Sequence, residues 1–329
     1  MDDFDAFELL DGHEVDTKDV TFAMTSNKDY HQLVRFGNVT SYSQLLDLHS
    51  CPRKILLKKH YADRIDAEDN IDFAFGHAVG AGVQNLWLTR DMNKALFNSF
   101  MAWNAPFDFE IRKKKKSIWE AGMAVEKFLP YIEENMEDWE LYTLPNGKPG
   151  IELSFALDCG NGYKHYGHID VVLRNKHTGE IAVIELKTTG LKYAEEAVYA
   201  NSSQALGYSV ILDTLFPGLS SYEVFHFIYS STDREWTPMP FTKTVAHKSE
   251  WIKDLLLDHA MLDTYKRMHF YPKRGESCYN YFRRCEFFGT CNITPDTELL
   301  VLGMEEDAEI VDYQLKLADI IEAQKARAL

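Results

Sequence analysis

Residues 165–189 read HYGHIDVVLRNKHTGEIAVIELKTT, and their pattern decides the fold. Two runs rich in β-formers, 165–173 and 181–187, flank a polar link, RNKHTGE, whose Thr178-Gly179 pair suits a hairpin turn. Alternate residues of a strand point to one face, so Glu185 and Lys187 project together. Pairing across the hairpin can set Asp170 beside them. Two carboxylates and an ammonium group gathered in this way offer hard oxygen ligands to a divalent ion and countercharge to a phosphate.

Working outward, residues 151–157 (IELSFAL) and 222–230 (YEVFHFIYS) also read as strands. Helical spacing of apolar residues covers 72–90, 117–139, about 193–215 and about 247–269, with Pro217-Gly218 stopping the third. Near the start, SYSQLLDLHSCPRK (41–54) opens with Ser41 and Gln44 at capping-box spacing, and Pro52 predicts a helix break near Cys51. The order of elements predicts an α/β protein with a central mixed sheet flanked by helices. The expected division is an acidic segment over 1–30, a main domain over 31–295, and an acidic helix or tail over 296–329. Within the main domain a helical part runs from about 40 to 140, a catalytic core from about 150 to 270, and a cysteine segment from 271 to 295.

Charge and hydropathy narrow the functional classes. The 329 residues carry a formal charge of −16, of which residues 1–20 hold −7 and residues 296–329 hold −6, leaving −3 for the body. A nearly balanced body with acidic ends can still present a basic groove to nucleic acid. No apolar run reaches the roughly 18 residues of a membrane span. The acidic start lacks the basic and apolar parts of a secretion signal. A cytoplasmic protein is the expectation, in a bacterial cell or a phage-infected host.

The stretch GHID, a gap of 14 residues, ELKTT, and then Gln204-Ala205-Leu206-Gly207-Tyr208 resembles the PD-(D/E)XK nuclease superfamily, in particular its RecB-like branch. Gly167, Asp170, Glu185, Lys187, Thr188, Gln204 and Tyr208 each match that branch's pattern. The resemblance implies a restriction-endonuclease-like sheet and a DNA exonuclease or end-processing nuclease serving recombination, repair or replication. It implies Mg²⁺ or Mn²⁺ on Asp170, Glu185 and the Leu186 carbonyl, with Lys187 near the attacking water or the scissile phosphate. Gln204 and Tyr208 would steady the site, and Glu152 matches an acidic position on an earlier strand. Where the branch often carries a histidine four residues after a helix glycine, this chain has Gly76 followed by Gly80. His77, one turn earlier on the face of Gly80 and Gln84, is the remaining metal-ligand candidate; otherwise that ligand is absent.

Five cysteines in such a chain suit ligation better than disulfides. Cys51 stands alone near the start, while Cys278, Cys285 and Cys291 gather near the end. On the residues alone, structural zinc and simple burial compete with a cluster. The same resemblance implies a 4Fe–4S cluster tying the early helices to the late segment, as in iron–sulfur RecB-like nucleases. Cys159 is left out of that set. Arg53, Lys54, Lys58, Lys59, Lys273, Arg274, Arg283 and Arg284 lie near these cysteines and are the expected DNA-facing bases. DNA ends or single strands are the expected partner, with a helicase or recombination protein supplying any unwinding. A weakly catalytic end-binding scaffold and a restriction-type endonuclease are the rival readings.

Overall fold

A computed structural model describes residues 32–36, 38–60, 71–105, 115–192, 195, 196, 199, 201–216, 222–241, 244–280, 283–291 and 307–328. The acidic segment 1–30 and the lysines at 113 and 114 lie outside the described residues. The hairpin forms as its sequence predicts. Strands β4 (Ile151–Asp158), β5 (Lys164–Asn175) and β6 (Ile181–Thr189) are consecutive and antiparallel. Gly179 takes the left-handed conformation (φ +74°) that the β5–β6 turn requires.

Strands β7 (Tyr222–Ser230) and β8 (Glu235–Phe241) extend the sheet beyond β6, β7 running parallel to β6 and β8 antiparallel to β7. Strand β8 reads EWTPMPF, and its two prolines fit an edge, where missing N–H groups break no ladder. On the other edge β12 (Tyr313–Lys316) pairs parallel with β4. Strands β2 (Val39–Ser41) and β3 (Trp139–Leu141) pair with the two ends of β5, completing an eight-stranded mixed sheet. Two-stranded ribbons join β1 (Gln32–Phe36) to β11 (Asp307–Val311) and β9 (Tyr279–Asn280) to β10 (Arg283–Arg284).

Helices cover both faces. On one, α3 (Ile71–Thr89), α4 (Met92–Met101) and α5 (Ile118–Asn135) enclose a core of Phe75, Val79, Phe128, Val171, Ile184 and Phe227. On the other, α1 (Tyr42–Ser50), α2 (Arg53–His60), α6 (Ser203–Leu215), α7 (Val245–Met268) and α8 (Leu317–Ala328) enclose Leu48, Leu57, Val183, Ile211, Leu255 and Ile320. The Ser41–Gln44 capping box opens α1, which ends at Cys51 before Pro52, as the sequence predicts. Within the range 193–215 residues 196 and 199 are helical, and Ser202 caps α6 by accepting from the Ala205 amide. No described helix is long and apolar enough to cross a membrane.

The segment 296–329, expected as an acidic helix or tail, ends in α8 but also supplies β11 and β12. Asp312 is 3% exposed, accepts from the Ser154 amide and hydroxyl at 2.7 and 2.9 Å, and pairs with Lys148. This carboxylate fastens the late segment to β4.

Candidate active site

Where β5 and β6 part, their last pair is Val171 with Ile184, so Asp170 and Glu185 emerge side by side. Asp170 Oδ2 accepts from the Leu186 amide at 2.8 Å. Lys187 Nζ donates to Glu185 Oε1 at 2.5 Å and to Gln204 Oε1 at 2.8 Å. Gln204 Nε2 donates to the Tyr208 hydroxyl at 2.7 Å, and that hydroxyl donates to the His168 carbonyl at 2.5 Å. Lying one helical turn apart on α6, the two residues form a relay that fixes the ammonium group. The three central side chains therefore meet, and the α6 pair holds them.

Glu152 joins this group in an unusual way. Its neighbours Ile151 and Leu153 pair with Val171 and Ile169, which sets Glu152 across from Asp170. Its φ of +47° lies in the left-handed region, a strain of about 1–2 kcal/mol for a side-chain-bearing residue. Gln84 of α3 donates to its Oε1 at 2.5 Å. Three carboxyl groups thus crowd one ammonium. Burial, then the charges of Glu185 and Glu152, holds the Asp170 pKa well above the ordinary carboxylate range. Burial also raises Glu185, although Lys187 pulls it back. For Lys187 burial, the largest single influence, works against the charge, yet Glu185, Asp170 and Tyr42 together outweigh it and the net shift is upward.

Glu185 is 2% exposed, and its Oε2 has no hydrogen-bond partner. An orphaned buried carboxylate oxygen costs free energy, and a cation would supply what it lacks. Among the described residues, however, no three His, Cys, Asp or Glu side chains are grouped so as to hold a metal ion as they stand. Lys187 takes up Glu185 Oε1 and the Leu186 amide takes up Asp170 Oδ2 instead.

His77 is exposed and rests against the Phe73 ring, centroids 4.8 Å apart. It lines a cavity of about 410 Å³ together with Gln204 and Tyr208, and no described hydrogen bond links it to the carboxylates. Sequence reasoning missed His226 of β7, which stands opposite Glu185 in the parallel register. It is 1% exposed, and neither ring nitrogen has a hydrogen-bond partner. Burial, then the Lys187 charge, lowers its pKa to about 4 and keeps it neutral. The lone histidine in an apolar strand was the available signal; its neighbour across the sheet was not.

Cys51, Cys278, Cys285 and Cys291 line one small cavity of about 60 Å³, at which the late segment closes on the α1–α2 junction. Ser277 Oγ donates to the Ser50 carbonyl at 2.6 Å, and Arg53 donates to the Cys291 carbonyl at 3.3 Å. Cys159 is buried elsewhere, with its thiol pushed up to about 12 by burial. Arg53 departs from the expectation of a DNA-facing base. At 2% exposed it is part of the closure, because its guanidinium turns inward to the late segment. Lys58 pairs with Asp47 at 2.6 Å and Lys54 with the same carboxylate at 3.5 Å. Lys273, Arg274 and Arg284 are exposed, while the side chains of Lys59 and Arg283 lie outside the described residues.

Residues 39–292 match the family model of the PD-(D/E)XK nuclease superfamily. The chain belongs to the PD-(D/E)XK nuclease superfamily. Among solved structures, this PD-(D/E)XK nuclease is similar to a candidate exonuclease from Eubacterium rectale, at 13% identity and a TM-score of 0.46, covering 79% of this chain and 89% of that one. A second, SSO0001, is similar at 15% identity and a TM-score of 0.33, covering 70% and 78%. No curated protein matches the nuclease.

Proposed function

We propose that this nuclease is a metal-dependent DNA exonuclease or end-processing enzyme, of the RecB-like type, working in recombination, repair or replication. One observation carries the reading: the buried, unpartnered Glu185 Oε2 beside Asp170 and Lys187. Asp170, Glu185 and the Leu186 carbonyl would hold Mg²⁺ or Mn²⁺, with Glu152 and His77 as further candidates. Such an ion lowers the pKa of attacking water and counters charge on the phosphate. Lys187, positioned by Gln204 and Tyr208, holds its proton and donates to a phosphate oxygen as charge builds there. Exposed Lys273, Arg274 and Arg284 are the bases best suited to face the DNA backbone.

Four thiols around one cavity support a 4Fe–4S staple, with structural zinc as the alternative. The staple would join α1 and α2 to the late segment. Anaerobic purification tests it: absorbance near 400 nm that disappears in Cys51→Ser supports the cluster, and a colourless zinc-containing protein overturns it.

Digestion of end-labelled linear DNA with Mn²⁺ tests the enzyme. Wild-type protein should shorten linear DNA, leave closed-circular DNA intact, and lose this activity in Lys187→Ala. Equal slow loss by both proteins would leave an end-binding scaffold. Cutting of closed circles would make it an endonuclease.

A further inference from the structure

We infer that the 410 Å³ cavity beside Gln204 receives an unpaired nucleotide of the strand being cut, so that this nuclease requires a frayed or single-stranded end. The inference rests on the nuclease reading above and names the form of its substrate. Position is the first argument. Gln204 lines the cavity and accepts from Lys187 at 2.8 Å, so the cavity begins one side chain away from the catalytic ammonium. A strand lying across the carboxylates has this space for an adjoining residue.

Charge is the second. The chain holds 51 acids, yet none among the described residues lines this cavity. Two helices begin at its wall, α1 with Tyr42 and Ser43 and α6 with Ser203 and Gln204. Their positive ends suit a phosphate, and no described carboxylate lines the wall to oppose it. Of the lining histidines, His165 is neutral, its pKa lowered to about 3 by burial.

Aromatic surface is the third. Phe73 is 59% exposed, stands at the cavity, and lies against His77. Tyr42 and Tyr166 line the same space. Ring faces around an acid-free cavity suit a nucleobase, which stacks at about 1–3 kcal/mol per base whatever its sequence. A volume of about 410 Å³ lies in the range of pockets that enclose small organic ligands, about 300–1,000 Å³. A base within a duplex is stacked and paired and cannot enter; a splayed one can.

The test uses full-length protein with Ca²⁺, so that binding is read without turnover. The probes are a single-stranded oligonucleotide carrying 2-aminopurine near its end and a blunt hairpin of equal length. Wild-type protein should bind the single strand more tightly and change its fluorescence. Phe73→Ala should weaken that binding at least about fivefold, the lower end of one lost stacking contact, and Ser43→Trp should weaken it by filling the cavity mouth. Circular dichroism and thermal melting of both variants should match wild-type protein, so that a loss of binding is not a loss of fold. Equal affinity of wild-type protein for the hairpin, or unaltered single-strand affinity in both variants, overturns the inference. If wild-type protein hydrolyses nothing while Phe73-dependent single-strand binding persists, the catalytic reading fails and the nucleotide site stands.

Discussion

Replacing Asp170 with asparagine should make the metal-free protein more stable while removing its response to metal. Asp170 and Glu185 sit side by side on adjacent strands, and Glu152 lies across from Asp170 on the other side. Two unit charges about 5 Å apart at an effective dielectric of about 20 repel by about 3 kcal/mol. Lys187 already offsets part of this at Glu185. The amide of the Asp170→Asn variant would keep an oxygen for the Leu186 N–H but make a weaker bond than the carboxylate does, at a cost of about 1 kcal/mol. The expected balance is a gain of about 1–2 kcal/mol in EDTA at pH 8, a rise of about 2–8 °C at about 2–4 °C per kcal/mol. The sign follows from linkage. Asp170 has a raised pKa when folded, so its favourable contribution is complete below the unfolded value and disappears as pH rises through the folded one. The advantage of Asp170→Asn should therefore shrink as pH falls toward about 4. Mn²⁺ at about a hundred times its dissociation constant should stabilise wild-type protein by about 2.7 kcal/mol and leave the variant unmoved. Scanning calorimetry in EDTA and in Mn²⁺ reads all three quantities. A variant that melts lower than wild-type in EDTA, yet still rises with Mn²⁺, refutes the crowding argument.

Tyr208→Phe removes the hydroxyl between Gln204 and the His168 carbonyl. It should cost about 1–3 kcal/mol in urea melts and lower kcat about tenfold, while Mn²⁺ affinity by titration calorimetry stays within about twofold. Buried His165 and His259 have pKa values lowered to about 3 and about 4, chiefly by burial. The unfolded chain takes up protons below about pH 6.5 that the folded one refuses, so stability should fall by about 1.4 kcal/mol per pH unit for each histidine between about pH 6.5 and about pH 4. A flat profile of melting against pH contradicts this assignment. Gly207→Ala should destabilise by about 1–3 kcal/mol, because its Cβ would come within 2.8 Å of the Trp251 ring. Gly80→Ala, whose Cβ meets nothing within 4 Å, should instead stabilise α3 by up to about 1 kcal/mol by thermal melts.

The β5–β6 hairpin and the meeting of Asp170, Glu185 and Lys187 were legible because a period of two residues fixes which side chains share a face, and Gly179 marks the turn. The Gln204–Tyr208 pair was legible from helical spacing, though its role as a clamp on Lys187 needed the fold. Other features depend on contacts that no local pattern carries. Pro238 and Pro240 hid β8, since edge position alone makes them tolerable. Helix α4 went unread although Asp91 caps it by accepting from the Asn93 and Lys94 amides. The parallel pairing of β7 with β6 crosses a helix, so the placement of His226 beside Glu185 had no sequence signature. A basic residue such as Arg53 looks solvent-facing until the late segment folds over it. Acidic composition likewise masked β12, whose neighbouring buried aspartate, Asp312, is satisfied by residues far up the chain.

Asp312 and Ser154 are separated by 158 positions. A ribosome therefore delivers β4 long before the strand that will cover its outer edge. Throughout that interval the edge of β4 from Phe155 to Asp158 offers unpaired backbone groups to any extended peptide nearby. Aggregation risk for this nuclease thus peaks during translation, and slower synthesis at low temperature should raise the soluble yield more than any additive applied after lysis.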